Sequence, residues 1–262
     1  MLNILLLNVR NKIKIETLTG AIIGQSNAGR RENVASMTGQ YTSLKKNYTN
    51  VKTALRNGQT YPFVDSDLIL NQYNASSGYY GAELGISNVL SSKVTNLNLI
   101  QFFVGSNDLK TNFNPNLSES THNQYYYGIW NSAGTGFLQQ VLTNYGLSLD
   151  FVVWIQGEQD AVINSTTYET DLSNFKGILR THFNSNLLFV YNQLITPFNL
   201  GNSESGKNAI RLAQVNNQTT KDLIINMDDI GTGDQYEVHY APNPLAELGV
   251  RFGNKIKTYY NI

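Results

Sequence analysis

Side chains capable of nucleophilic and acid–base chemistry cluster in four short segments of the sequence. These are residues 24–30 (GQSNAGR), 105–108 (GSND), 156–160 (QGEQD) and 234–239 (DQYEVH). They hold two serines, a histidine, side-chain amides and carboxylates, together with glycines that expose backbone N–H groups. The chain has no cysteine, so a serine must supply any nucleophilic side chain.

Each segment also has a plainer explanation. A glycine-rich turn such as 24–29 is often only a tight turn or a phosphate cradle, and 105–108 reads alone as an ordinary turn. Segment 156–158 could simply end a strand and cap a helix. A lone histidine is usually a surface or packing residue, which is the prediction for His122 and His182. The coincidence of all four segments at predicted strand ends favours one shared site.

The elements that must position these segments follow from the hydrophobic pattern. Apolar runs bounded by turn residues predict five buried strands, at 18–23, 97–104, 149–155, 187–194 and 223–227. Helical spacing predicts helices at 82–90, 136–145, 168–183, 207–219 and 244–259, the last with Asn243 as N-cap and Pro244 in its first turn. Alternating strands and helices indicate a parallel sheet covered on both faces. The four segments then meet at the carboxyl edge of that sheet, where ligands bind.

The remaining stretches lack a clear period. Residues 30–80 and 108–133 are predicted to be long loops above the strand ends. Residues 1–16 are predicted to be an N-terminal arm or an extra strand, and residues 17–262 to form one domain. The apolar start is short and lacks a basic beginning, so we predict no signal peptide, and no apolar run reaches the length of a membrane-spanning helix.

Composition narrows the class of substrate. Nineteen basic residues balance 19 acidic ones, so neither nucleic acid nor an anionic membrane is an expected partner, and a neutral substrate fits better. The charged fraction is only 15%, with many Asn, Ser, Thr and Tyr instead. Such a surface suits sugars or a large assembly, and the absence of cysteine leaves the cellular compartment undetermined.

Three of the motifs resemble a known family. Gly-Gln-Ser-Asn followed by a small residue, Gly and Arg looks like the first block of the SGNH hydrolases. The segment 154–160 (WIQGEQD) closely resembles a block of their sialate O-acetylesterase and acetylxylan esterase branch, which is carbohydrate esterase family 6-like. The segment 211–214 (RLAQ) is similar to a weaker signature of that branch. The resemblance runs from about residue 17 to the C-terminus.

This resemblance implies a flavodoxin-like three-layer α/β/α fold with a five-stranded parallel sheet. It implies Ser26 as the nucleophile, His239 as its base, and an oxyanion hole built from the Ser26 and Gly105 N–H groups with a side-chain amide. That amide is either Asn107 or Gln156. Strand order assigns it to Gln156, with Asn107 as a neighbour. The candidate substrate or supporting residues are Gln25, Asn27, Arg30, Asn107, Glu158 and Glu237.

In the family, an acidic residue completes a catalytic triad with the serine and the histidine, and the sequence departs from the family at this third residue. The family usually has an Asp three residues before the histidine, where this chain has Tyr236. We predict that Asp234 orients His239, because Gly231 and Gly233 give the loop the flexibility to bring its carboxylate to the ring. Glu237 and a Ser–His dyad are the alternatives.

The leading functional hypothesis is a carbohydrate O-acetylesterase that needs no metal and no organic cofactor. The first alternative is a carbohydrate-binding or structural module that has lost catalysis, in a viral or surface assembly contacted through the N-terminal arm. The second alternative is another SGNH activity, such as a lipase or thioesterase. That activity would require a long apolar acyl channel.

Overall fold

A computed structural model describes residues 15–58, 68–76, 78–117, 124–196, 204–231 and 239–262. Within them the strands are β1 (Ile15–Gly24), β2 (Glu32–Asn33), β3 (Asn47–Asn57), β4 (Asn71–Asn74), β5 (Tyr79–Tyr80), β6 (Val94–Phe103), β7 (Phe151–Ile155), β8 (Leu188–Asn192) and β9 (Asp222–Ile225). The helices are α1 (Ser26–Gly29), α2 (Glu83–Leu90), α3 (Gln124–Gly128), α4 (Phe137–Tyr145), α5 (Glu158–Val162), α6 (Tyr168–His182), α7 (Glu204–Asn216) and α8 (Pro242–Tyr260). Short 3₁₀ helices occupy Val34–Ser36 and Gly39–Leu44.

The main sheet confirms the predicted fold class. Its strand order is β4-β3-β6-β1-β7-β8-β9, and every pair is parallel except β3 with β4. Strands β6, β1, β7, β8 and β9 are the five predicted from apolar runs. Numbered along the chain, they lie in the order 2-1-3-4-5 of flavodoxin-like sheets. All residues of β7 and β8 are buried, as expected for strands covered on both faces.

The predicted count of five strands is wrong, because the sheet has seven described strands. The two additional strands lie in the stretch 30–80, which was predicted to be a loop. Strand β3 buries Tyr48, Val51 and Ala54, which are three residues apart. Its pairing with β4 shifts register between Asn47 and Lys52, and this irregularity interrupts the period-two pattern of a strand between Tyr48 and Val51.

The predicted helices are present, with their ends displaced by a few residues. The stretch 108–133 contains the short helix α3 and turns, and residues 118–123, including His122, lie outside the described residues. The N-cap prediction for Asn243 is wrong, since the last helix starts at Pro242 and Ala241 is its N-cap. Proline fits a first helical position because its fixed φ suits the helix and its missing N–H is not needed there.

Helices α2 and α8 pack backbone to backbone. A Cβ atom placed on Gly249 would lie 2.1 Å from the Ala82 carbonyl oxygen, and one placed on Gly85 would lie 2.3 Å from the Val250 nitrogen. Only glycine allows this approach. The contact anchors α8, the helix that begins three residues after His239.

Most of the predicted N-terminal arm lies outside the described residues, which begin at Ile15. Ile15 and Glu16, the last residues of that predicted arm, belong to strand β1, and Ile15 pairs with Val94 at the start of β6. No helix in the described part of the chain is both long enough and apolar enough to cross a membrane.

Candidate active site

Three neighbouring strands end at the same level of the sheet. Gly24, the last residue of β1, pairs with Phe103 at the end of β6 on one side and with Ile155 at the end of β7 on the other. The turns that follow carry Ser26, Gly105 and Gln156. The register of the sheet therefore brings these three sequence segments to one edge, as predicted.

The turn that presents Ser26 depends on Gly24. Its φ of +151° is rarely adopted by other residues, and a Cβ atom there would lie 1.9 Å from the Ile155 carbonyl oxygen. The same carbonyl oxygen accepts a hydrogen bond from the Gln25 N–H at 2.9 Å. The chain can therefore turn sharply off β1 while staying against β7, and Ser26 starts helix α1 with a half-buried side chain.

Gln25 connects the serine turn to the turn after β7. Its buried side-chain Oε1 accepts hydrogen bonds from the N–H groups of Gly157 and Gln159, at 3.2 and 3.3 Å. Gly157 has a φ of +134° and is the N-cap of α5. The Gln25 side chain thus links the turn after β1 to the turn after β7.

His239 lies beside the serine. Its Nε2 atom is 2.9 Å from the Ser26 Oγ atom, within hydrogen-bond distance. With Nε2 unprotonated, Ser26 donates this hydrogen bond, which is the arrangement needed for a base to take the serine proton. Residues 232–238, including both candidate acids Asp234 and Glu237, lie outside the described residues. The third member of the triad therefore stays a prediction.

A second contact joins the residues that follow Ser26 and His239. The Asn27 Oδ1 atom accepts a hydrogen bond from the Tyr240 N–H at 3.2 Å, and the Asn27 Nδ2 group donates one to Glu158 Oε1 at 2.8 Å. All three residues are buried. Burial raises the pKa of the Glu158 carboxyl, and the hydrogen bond from Asn27 opposes that rise.

The Gln156 side chain is buried at the end of β7. Its Nε2 group donates to the Asn107 carbonyl oxygen at 3.3 Å and to the Asp160 carboxyl. Asp160 also accepts a hydrogen bond from the Leu109 N–H at 2.9 Å. Burial raises the pKa of Asp160 to about 7, although these two hydrogen bonds act in the opposite direction.

The turn after β6 lies beside Gln156. Ser106 has a left-handed φ of +58°, which is uncommon for a residue other than glycine. The Asn107 side chain donates a hydrogen bond to the Gly105 carbonyl oxygen at 2.9 Å. The Asn107 amide thus closes its own turn, while its backbone carbonyl holds Gln156.

A pocket of about 300 Å³ opens at the serine and the histidine. Its lining residues are Ser26, Gly29, Arg30, Arg31, Phe103, Gly105 and His239. Arg30 is paired with Glu32 at 2.5 Å, and Arg31 with the buried Glu83. Arg31 and Phe103 were not predicted as site residues, although Arg31 follows the first motif directly and Phe103 lies next to the end of the strand predicted at 97–104.

The 211–214 segment lies on helix α7, where Gln214 contacts the turn after β7 and Arg211 pairs with Asp228. The Gln214 side chain donates to the Gln156 carbonyl oxygen at 3.2 Å and accepts from the Leu194 N–H at 2.8 Å. Arg211 forms a two-pronged ion pair with Asp228, at 3.0 and 2.7 Å. Burial opposes ionisation of Asp228, but hydrogen bonds from Arg211 and Thr196 outweigh it and lower the pKa to about 2.

His182 is a packing residue, as predicted. Its ring stacks on Trp130 with 3.7 Å between ring centroids, and burial lowers its pKa. Among the described residues, no group of three or more His, Asp or Glu side chains is arranged to hold a metal ion.

A family model matches the chain over residues 21–258, under the description carbohydrate esterase, sialic acid-specific acetylesterase. The chain belongs to this family. It is therefore a carboxylic ester hydrolase, and the resemblance of its motifs to the sialate O-acetylesterase branch is confirmed. A search of curated proteins gave no match.

Solved structures support the fold of this esterase. A protein from Arabidopsis thaliana is 11% identical with a TM-score of 0.69, over 94% of this chain and 99% of that one. A carbohydrate acetylesterase from Xanthomonas citri is 13% identical with a TM-score of 0.63, over 94% of this chain and 57% of that one. NanS is 13% identical with a TM-score of 0.62, over 95% of this chain and 98% of that one.

Proposed function

We propose that this esterase removes acetyl groups from carbohydrate through an acyl-enzyme formed on Ser26. The observation that carries the proposal is the 2.9 Å contact between His239 Nε2 and Ser26 Oγ, in a chain that belongs to a carbohydrate esterase family. A hydroxyl is a weak nucleophile until a base in contact removes its proton. The intact Ser–His pair favours an active enzyme over a module that has lost catalysis.

In the first half of the reaction, Ser26 Oγ attacks the acetyl carbonyl carbon while His239 Nε2 takes the serine proton. The carbonyl oxygen becomes a tetrahedral oxyanion. His239 then gives the proton to the sugar oxygen, the ester C–O bond breaks, and the sugar alcohol leaves. In the second half, His239 takes a proton from water while the water oxygen attacks the acetyl-serine. The Ser26 Oγ–carbon bond then breaks, His239 returns the proton to Ser26, and acetic acid leaves and loses its own proton to solvent.

The proposed oxyanion hole consists of the Ser26 N–H, the Gly105 N–H and the Gln156 amide. Support comes from strand register, which places all three turns at one edge. The Gln156 Nε2 group has two hydrogens, and its two acceptors are Asp160 and the Asn107 carbonyl. Gln156 would therefore exchange the longer bond, to Asn107 at 3.3 Å, for a bond to the oxyanion.

The pocket supports a small acyl group on a polar alcohol. Its volume is about 300 Å³, and two arginines lie in its wall. A lipase or thioesterase would need an apolar channel instead. Arg30 and Arg31 are the cations that an acidic sugar would meet, although each is already paired with a glutamate.

The test is hydrolysis of p-nitrophenyl acetate, butyrate and octanoate by the wild-type protein and by Ser26→Ala. The expected result is rapid hydrolysis of acetate, little hydrolysis of octanoate, and loss of activity in the variant. Release of acetate from O-acetylated sialic acid and from acetylated xylan then identifies the sugar class. Full activity of Ser26→Ala, or a preference for octanoate, would refute the proposal.

A further inference from the structure

Two consecutive residue pairs connect the serine turn to the histidine loop. Ser26 contacts His239, and the next residues, Asn27 and Tyr240, contact each other through the Asn27 Oδ1 atom and the Tyr240 N–H. The first contact takes part in the proposed reaction, since its proton is transferred and Ser26 Oγ becomes esterified. The second contact takes no part in that chemistry, so it can persist through every step.

The persistent contact matters most in the acyl-enzyme. Once Ser26 Oγ carries the acetyl group it has no hydrogen to donate, and His239 loses the 2.9 Å contact that links it to the serine. His239 must still stay in place to activate the hydrolytic water. A hydrogen bond from the neighbouring Tyr240 N–H to Asn27 holds the histidine backbone at that stage.

Glu158 and the Tyr240 N–H together determine which way the Asn27 amide points. A carboxylate only accepts hydrogen bonds, so Glu158 selects the NH₂ end of the Asn27 side chain, at 2.8 Å. The carbonyl end then faces the Tyr240 N–H. Among the described residues Glu158 forms no ion pair, and its Oε2 atom is buried with no hydrogen-bond partner. Burying a carboxyl with so few partners costs folding free energy. Orienting the Asn27 amide is a function that would justify this cost.

We infer that Asn27, oriented by Glu158, is a positioning residue that holds His239 against Ser26 during catalysis. The inference rests on the proposed function of Ser26 and His239. Loss of the contact should lower kcat more than it changes KM, because the contact places the base and binds no substrate. A displacement of about 1 Å at a reacting group costs about 100-fold in rate.

The test exchanges the donor and the acceptor. In Asn27→Asp an oxygen still faces Tyr240, but a second carboxyl now meets Glu158 where a donor is required. Adding Glu158→Gln restores a hydrogen bond between side chains of the same size. In this double variant the amide at position 158 donates and the carboxylate at position 27 accepts. We expect kcat for p-nitrophenyl acetate to fall by about 10- to 100-fold in Asn27→Asp. We expect most of the loss to be recovered in the double variant.

Three measurements make the outcome decisive. Thermal unfolding and titration with an organophosphonate give the folded and active fractions, so kcat is expressed per active site. The control variant Asn98→Ala removes another buried asparagine, which lies on β6 and donates a hydrogen bond to the Thr19 hydroxyl of β1 at 3.2 Å. This variant should leave kcat per active site unchanged. Single-turnover kinetics separate formation of the acetyl-enzyme from its hydrolysis, and Asn27→Asp should slow the hydrolysis step.

The inference is overturned if Asn27→Asp and Asn27→Ala keep kcat per active site within about threefold of wild type while Ser26→Ala is inactive. It is also overturned if the double variant is no more active than Asn27→Asp. A fully active Ser26→Ala variant would instead refute the proposed function, so the two failures are distinguishable.

Discussion

The Gln214 side chain donates a hydrogen bond to the Gln156 carbonyl oxygen at 3.2 Å, from helix α7 to the turn after β7. The same amide accepts a hydrogen bond from the Leu194 N–H at 2.8 Å. One buried side chain thus ties together the ends of two neighbouring strands behind the site. These two hydrogen bonds are the structural role of Gln214, the last residue of the 211–214 segment that resembles the family.

Replacing Gln214 with alanine should destabilise the fold, because the buried Leu194 N–H would lose its acceptor. We expect the free energy of unfolding, measured by urea denaturation, to fall by about 1–3 kcal/mol. Gln218→Ala, at an exposed glutamine just beyond the same helix, should change it by less than about 0.5 kcal/mol. Equal effects of the two variants would show that the Gln214 contacts do not contribute to stability.

The oxyanion assignment predicts unequal effects of two amide removals. Gln156→Ala should reduce kcat by about 100-fold with little change in KM, since the amide acts on the transition state. Asn107→Ala should be milder, because that side chain donates to the Gly105 carbonyl oxygen of its own turn. Steady-state kinetics on p-nitrophenyl acetate check both. A larger loss in Asn107→Ala would transfer the assignment to Asn107.

Asp160 should make stability depend on pH. Its pKa is raised by burial to about 7, against about 3.9 in an unfolded chain. The folded state therefore binds a proton that the unfolded state releases, and stability falls as pH rises from about 4 to about 7. The full effect is on the order of 4 kcal/mol. Asp160→Asn should lose this slope, as measured by urea denaturation across that range, and parallel curves for variant and wild type would contradict the assignment.

Gly24→Ala should disturb the serine turn, because the added methyl group would lie 1.9 Å from the Ile155 carbonyl oxygen at a φ of +151°. We expect loss of both stability and activity. Gly177→Ala is the matched control, since a Cβ atom there meets no atom within 4 Å. In the middle of α6 this change should be neutral or stabilising by about 0.5–1 kcal/mol. Thermal unfolding compares the two variants, and a stable, active Gly24→Ala would show that the turn tolerates a side chain.

The sequence predicted the strands whose apolar runs are continuous, and with them the edge where Ser26 and Gln156 lie. It did not predict β3, because Tyr48, Val51 and Ala54 are spaced at three residues and resemble a helical pattern more than a strand. The direction of the Asn27 amide was also unpredictable. It depends on Glu158, which is 131 residues away in sequence, so only the folded chain brings the two together.

The identity of the nucleophile is tested most directly by covalent labelling. The wild-type protein is treated with an organophosphonate, and peptide mapping by mass spectrometry locates the adduct. We expect one adduct, on Ser26, and none in Ser26→Ala. We also expect much slower labelling of His239→Ala, because that variant lacks the base 2.9 Å from the hydroxyl. An adduct on another residue, or no adduct in a preparation that hydrolyses p-nitrophenyl acetate, would refute Ser26 as the nucleophile.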